Sequence, residues 1–260
     1  MPMTIDGDGA GPTRSATRKA TARPRRRVSI VGVLGELLIT AGVFVLLFLG
    51  WQVWLNDIIE VSAQDTQAQQ LSQSWKQDAG ATGATGTATN PVVAVAPGNA
   101  QKFGILYVPR FGATWERPIA QGVGVSDVLD KIGIGHYPSS VMPGAVGNFA
   151  IAAHRHAYGG SFENLHTLHV GDHVYIGTKQ GWYEYTFRDI QYVQPTQVNV
   201  LQPVPMEPGV KPVDRLITMT TCNPFFSTQE RMIAYGVFDR FYPYAGGPPK
   251  QIAKTVEQVG

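Results

Sequence analysis

Three side chains in this sequence have the chemistry for covalent catalysis, and each lies at the edge of an apolar run. Cys222, the only cysteine, ends a run of β-branched and apolar residues of the kind that forms a strand. Arg231 begins a second such run nine residues later, and His154 ends a third. Two neighbouring strands with a short connection would bring the thiol and the guanidinium to one rim of a sheet. A thiolate nucleophile with an imidazole as acid and base is the chemistry that this set predicts.

Each of these residues also has a simpler explanation. A lone cysteine is often a small buried apolar residue, and Arg231 taken alone is typical of a solvated strand end. His156 competes with His154, because residues two apart on a strand lie on the same face. We rank His156 second, since the apolar run ends at His154.

The other histidines raise the question of a metal site. They are His136, His166, His169 and His173. Zinc sites usually add cysteine or carboxylate ligands at close spacing, and no tight ligand pattern surrounds these positions. We therefore predict neither a metal nor a cofactor.

Charge and hydropathy are unevenly distributed at the N-terminus. The net charge is only +2, yet seven arginines and lysines crowd the first 27 residues. The apolar run that follows, 28–54, exceeds the ~20 residues that a helix needs to cross a bilayer. Basic residues before a span hold that end in the cytoplasm, and Trp51 and Trp54 suit the far interface. We predict a basic cytoplasmic segment over 1–27, a transmembrane anchor over 28–54, an extracellular remainder and no binding of nucleic acid.

A cleaved signal peptide is the alternative to an anchor. The apolar run is longer than the ~7 to 15 residues of a signal-peptide core, and no Ala-x-Ala site closes it. Glu36 places a carboxyl group within the span, and ionisable residues there often have a function. Near the cytoplasmic end, its side chain can also extend to the membrane surface or stay protonated. With one cysteine the exported part can form no internal disulfide, and a free thiol in an exported domain favours a chemical role for that thiol.

Beyond the anchor the composition changes twice. Residues 55–102 form a predicted polar stalk and flexible linker: a glutamine-rich stretch compatible with a helix that extends the anchor, then an Ala/Gly/Thr tract over 79–90. Residues 103–244 alternate short strand-like runs with glycine and proline, and 245–260 read as a polar tail. The strand-like runs are 104–108, 116–123, 149–154, 173–177, 182–192, 215–221 and 232–241. This spacing predicts an all-β barrel or sandwich with short helices near 126–131 and 161–168.

Several separate motifs in this region resemble one family. They are Thr218-Met-Thr-Thr-Cys222 with Arg231, Gly147-Asn-Phe-Ala-Ile-Ala-Ala-His154-Arg, Tyr107-Val-Pro-Arg, Gly135-His-Tyr-Pro and Met142-Pro-Gly. In that order they resemble the signature of sortases, the cysteine transpeptidases of Gram-positive bacteria. The Gly-His-Tyr-Pro and Thr-Cys-Asn-Pro forms are most similar to class E of actinobacteria.

The resemblance implies a fold, a mechanism and partners. The fold is an eight-stranded β-barrel with its site at the end of a groove. Cys222 would attack the peptide bond between Thr and Gly of a C-terminal sorting signal, His154 would serve as acid and base, and Arg231 would stabilise the oxyanion or the substrate backbone. The acyl group would pass to the amine of a cell-wall precursor of the lipid II type.

Two further residues are expected in the groove. In class E the tyrosine that matches Tyr137 is associated with a Leu-Ala-x-Thr-Gly signal in preference to Leu-Pro-x-Thr-Gly, and Thr221 is a groove candidate by position alone. The alternatives are a pilus-polymerising or hydrolytic relative, and a silent surface β-barrel that binds without catalysis.

Overall fold

The computed structural model describes residues 29–51, 56–78 and 87–257. The helices are α1 (Ile30–Gly50), α2 (Asn56–Asp78) and α3 (Lys250–Glu257). The strands are β1 (Lys102–Tyr107), β2 (Glu116–Gln121), β3 (Ile134–His136), β4 (Gly147–Ala153), β5 (His173–Thr178), β6 (Gly181–Val193), β7 (Arg215–Asn223) and β8 (Glu230–Pro243). The predicted basic segment 1–27 and most of the Ala/Gly/Thr tract lie outside the described residues.

The eight strands close into a barrel in the order β1-β2-β3-β4-β7-β8-β6-β5. Alternation along the strands fills its interior: on β6 the side chains of Tyr183, Tyr185 and Phe187 enter the core, whereas Trp182 and Glu184 lie on the outer face. The expected eight-stranded barrel is thus confirmed. The structure adds β3, whose three residues are too few to show alternation in the sequence.

Two neighbouring strand pairs of the barrel are parallel, and one of these pairs brings two strand ends together. β2 pairs with β3 and β4 pairs with β7 in parallel, while all other neighbouring pairs are antiparallel. Parallel neighbours present their carboxyl ends at the same rim. The ends of β4 and β7 therefore lie side by side, and β8 begins next to the end of β7.

Two helices from the segments that the sequence assigned to a polar stalk and a polar tail pack on the barrel in the structure. Helix α2 packs on β1 and β2, with Ala68 and Trp75 buried. Helix α3, within the predicted polar tail, buries Ile252 and Val256 in the same outer cluster as Trp182. Side chains four apart share one helix face, so a short helix with two apolar residues at this spacing can cover a sheet. The outer face of the barrel needed that cover because its side chains there are large and apolar.

Only α1, among the described residues, is long and apolar enough to cross a membrane. Its 21 residues have a mean hydropathy of 2.4, and none of them is buried within the protein. Trp54, which belongs to the predicted span, lies outside the described residues. The predicted short helices correspond to a π-helical turn, Val125–Leu129, and a 3₁₀ turn, Leu165–Thr167.

His136, at the end of β3, is a fully buried histidine. Its Nδ1 lies 2.8 Å from Gln121 Oε1, its Nε2 lies 2.9 Å from Ser140 Oγ, and its ring stacks on Phe149. Burial lowers the pKa of His136 to about 4, because the charged imidazolium loses its hydration. The ring is neutral at physiological pH and serves as a structural link between strands.

This histidine should make the fold acid-sensitive. Its folded pKa lies below its ordinary value of about 6.5, so the unfolded chain takes up a proton that the folded chain refuses. Stability should fall as the pH drops from about 6.5 towards 4, by an amount of order 3 kcal/mol for this group. Thermal unfolding of wild type and His136→Gln between pH 7 and 4.5 measures this slope. The slope should be smaller in His136→Gln, while His166→Gln at an exposed site should follow wild type; equal slopes in all three proteins would contradict the assignment.

Candidate active site

The three residues predicted for catalysis lie at one level of the barrel. In the β7–β8 ladder Cys222 stands directly opposite Arg231. In the parallel β4–β7 ladder Ala152 is aligned with Thr220, so the next same-face pair along that register is His154 and Cys222. The strand-end positions read from the sequence therefore converge across three adjacent strands.

Cys222 and His154 line the same open cavity of about 160 Å³. Its other walls are His156, Arg155 and the β7–β8 connection, including Pro224 and Phe226. The Cys222 thiol is free and half-buried. It lies on the outer face of β7, because Met219, at a position of opposite parity, belongs to the interior core and side chains alternate along a strand. The thiol is partly exposed on the wall of this cavity.

His154 is held by a carboxylate that the sequence did not reveal. Its Nε2 lies 2.7 Å from Asp130 Oδ1, which follows the π-helical turn before β3. A carboxylate oxygen accepts, so Nε2 carries the hydrogen and Nδ1 is left as the ring nitrogen that can accept a proton. The ring of Tyr158 packs on the imidazole with centroids 5.4 Å apart. Asp130 thus orients His154 in the manner that carboxylates orient histidines in hydrolytic triads.

His156 has different surroundings from His154. Strand β4 ends at Ala153, so the expectation that the two histidines share a strand face does not apply. The His156 ring packs against Phe225 and Phe226, with centroids 4.9 Å and 4.1 Å away. Its place is in an aromatic wall of the cavity, and the structure gives it no carboxylate partner among the described residues.

Arg231 is fixed by its own connection. Its Nη1 donates to the carbonyls of Thr228 and Glu230, at 3.0 Å and 2.9 Å. A guanidinium has five N–H donors on three nitrogens, so these two bonds involve only one of its nitrogens. A second arginine, Arg155, donates to Asn223 beside Cys222.

The two expected groove residues are placed differently. The hydroxyl of Tyr137 is half-buried and lies 3.1 Å from Thr220 Oγ1, on the same outer face as Cys222. Thr221 is only 3% exposed, and its hydroxyl donates to the carbonyl of Ala153 at 2.9 Å. Thr221 therefore ties β7 to β4 just before His154.

Among the described histidines, His173 alone joins a set of residues with metal-ligand chemistry. Its ring, Glu184 and Asp239 bring ligand atoms within 4.8 Å of one another on the β5–β6–β8 side of the barrel. Glu184 already accepts hydrogen bonds from Tyr175 and Tyr242, and His173 Nδ1 lies 3.0 Å from it. These contacts account for the buried carboxylate without an ion.

A closed barrel with a cysteine, a histidine and an arginine at one rim defines a class of cysteine-dependent acyl-transfer enzymes. A model of the sortase domain matches residues 106–239 of the chain. The chain belongs to the sortase family, as the resemblance of its motifs implied.

Relatives of known identity agree with this assignment and with class E. The chain is 33% identical over 241 residues to sortase SrtE1 of Streptomyces coelicolor, covering 90% of this chain and 64% of that protein. It is 32% identical over 245 residues to sortase SrtE2 of the same organism, covering 88% and 93%. The structure superposes on sortase E1 from Streptomyces coelicolor, solved with a tripeptide in its active site, with a TM-score of 0.55, 36% identity and coverage of 61% and 99%.

Proposed function

We propose that this protein is a membrane-anchored sortase transpeptidase with Cys222, His154 and Arg231 as its catalytic residues. It cleaves a C-terminal sorting signal of the Leu-Ala-x-Thr-Gly or Leu-Pro-x-Thr-Gly type between Thr and Gly. The observation that carries the proposal is that Cys222 and His154 line one open cavity, while Arg231 stands opposite Cys222 in the β7–β8 ladder.

The reaction has two steps, formation of a thioester on Cys222 and transfer of the acyl group to an amine. The Cys222 thiolate attacks the threonine carbonyl carbon, and free donors of Arg231 stabilise the oxyanion. The C–N bond to glycine breaks, and His154 gives its proton to the leaving amine. An incoming amine then attacks the thioester and loses its proton to His154, and the thiolate leaves. The acceptor in the cell is the amine of a cell-wall precursor.

A peptide assay on the full chain in detergent micelles tests these roles. Wild type should cleave a Leu-Ala-x-Thr-Gly peptide between Thr and Gly, and mass spectrometry should show a thioester on Cys222. Cys222→Ala should form no thioester. His154→Ala should lower kcat/KM by roughly 10² to 10⁴, the usual contribution of general acid and base catalysis. The matched variant His156→Ala should lose much less; equal losses from the two histidine variants would overturn the assignment.

Tyr137 is the residue that we propose to read the second position of the signal. Its hydroxyl lies on the groove face and keeps an oxygen lone pair beside the bond to Thr220. An alanine in the peptide supplies a backbone N–H for that lone pair, whereas a proline has none.

Tyr137→Phe should therefore reduce the preference for alanine over proline. A hydrogen bond of this kind contributes about 0.5 to 1.5 kcal/mol net, which corresponds to a preference of up to roughly tenfold. The measured quantity is the ratio of kcat/KM for the two peptides in both proteins. An unchanged ratio in Tyr137→Phe would leave Tyr137 as a packing residue.

We also propose that α1 anchors the chain, with the basic N-terminus in the cytoplasm and the barrel outside. The apolar length of α1 and the arginines before it support this topology. A membrane-impermeant thiol reagent added to intact cells with permeabilised walls should label Cys222. Cys222→Ala should stay unlabelled. Labelling of wild type only after lysis would place the barrel on the wrong side.

A further inference from the structure

Gln64, in the middle of α2, is a fully buried polar side chain. Its Nε2 donates to the carbonyl of Tyr158 at 2.8 Å, and its Oε1 accepts from Ser161 Oγ at 3.1 Å. A buried amide is costly unless both ends are paired, and here both are. The glutamine therefore makes specific contacts with the β4–β5 connection, which begins at His154.

The barrel is shaped to receive this side chain. Gly133 and Gly159 have φ angles of +107° and +77°, and their bare Cα atoms face Gln64. A Cβ at Gly133 would lie 2.8 Å from Gln64 Oε1, and a Cβ at Gly159 would lie 3.0 Å from Gln64 Nε2. Two positive-φ glycines leave the space that the glutamine fills. We call Gly133, Tyr158, Gly159 and Ser161 the glutamine socket.

One wall of the socket leads directly to the histidine. The ring of Tyr158 packs on His154, and the backbone N–H of Phe162, next to Ser161, donates to the carbonyl of His154 at 3.0 Å. Displacement of residues 158–162 would therefore disturb both the ring contact of His154 with Tyr158 and its backbone hydrogen bond with Phe162.

A second glutamine on the same face of α2 reaches the other support of the histidine. Gln67 Nε2 donates to the carbonyl of Lys131 at 3.1 Å. Lys131 follows Asp130, whose carboxylate holds His154 Nε2. Helix α2 thus contacts both chain segments that fix the imidazole, one through Gln64 and the other through Gln67.

We propose that Gln64 is a positioning residue for His154. Helix α2, which follows the candidate membrane span in sequence, thereby contributes to the active site. The proposal rests on the catalytic role given to His154 above. It predicts that loss of the glutamine socket contact impairs the proton-transfer steps more than it impairs peptide binding.

Gln64→Ala and Ser72→Ala in the full-length chain separate positioning from simple docking of the helix. Ser72 is also buried on α2 and bonds Tyr107, away from the histidine. Gln64→Ala should lower kcat by roughly ten- to a hundredfold with little change in KM, because small displacements of catalytic groups are costly. Ser72→Ala should keep kcat within about twofold. Both variants are assayed below their melting temperatures; equal kcat values for the two, or a loss confined to KM, would refute the positioning role.

Asp130 provides an internal reference for the same effect. Asp130→Asn should reproduce the loss in kcat, since an amide cannot accept from Nε2–H in the same way as a carboxylate. Asp130→Glu keeps the carboxylate and should recover part of the rate. Full activity in Asp130→Asn would show that the contacts around His154 do not govern its chemistry, and the proposal for Gln64 would fail with it.

Hydrogen–deuterium exchange gives a readout that needs no activity. In Gln64→Ala the amides of 158–162 should exchange faster than in wild type, whereas Ser72→Ala should leave that segment unchanged. Unchanged exchange in Gln64→Ala would overturn the proposal even in an active enzyme. Faster exchange of this segment in Gln64→Ala, together with a wild-type chain that cleaves no sorting peptide, would instead uphold the socket and reject the proposed sorting reaction.

Discussion

The parallel pairing of β4 with β7 is the constraint on which the site depends. Parallel strands end at the same rim, and that geometry brings His154 to the level of Cys222 although about 70 residues separate them in sequence. The antiparallel return into β8 then sets Arg231 opposite the thiol. The hydroxyl of buried Thr221 bonds across this seam one residue before Cys222. Strand pairing and register set the level of the proposed site, and the connections that carry His154 and Asp130 orient the imidazole.

Support for the histidine comes from outside the barrel as well as from within it. Asp130 fixes one ring nitrogen, and Tyr158 covers the ring face. Both lie on connections, which are the least constrained parts of a barrel. Helix α2 contacts each of these connections through a glutamine amide. Because α2 is polar along most of its length, it can position these connections through hydrogen bonds. An apolar helix would contribute only buried apolar surface.

The parts that could be predicted from the sequence are those with a local signal. Runs of β-branched residues marked seven of the eight strands, and strand ends marked Cys222, Arg231 and His154. Asp130 had no such signal, because it meets His154 only through the barrel's closure. The sequence of α2 does not indicate that the helix packs on the barrel. Two of its buried residues are Gln64 and Ser72, which interrupt the apolar stripe that amphipathic helices usually show. Spacing of Ala68, Leu71 and Trp75 was the one available hint.

The β4–β7 seam also bears on how the molecule assembles in time. The β5–β6 hairpin closes within a few residues, between Thr178 and Gly181, and can form early. The β4–β7 pairing must wait for a loop of about 70 residues to close, which is slow in proteins rich in non-local contacts. Until that pairing forms, nothing holds His154 at the level of Cys222, so the proposed site is incomplete. If Cys222 and His154 act together as proposed, activity requires this long-range pairing, and folding of the barrel itself controls when the thiol becomes reactive.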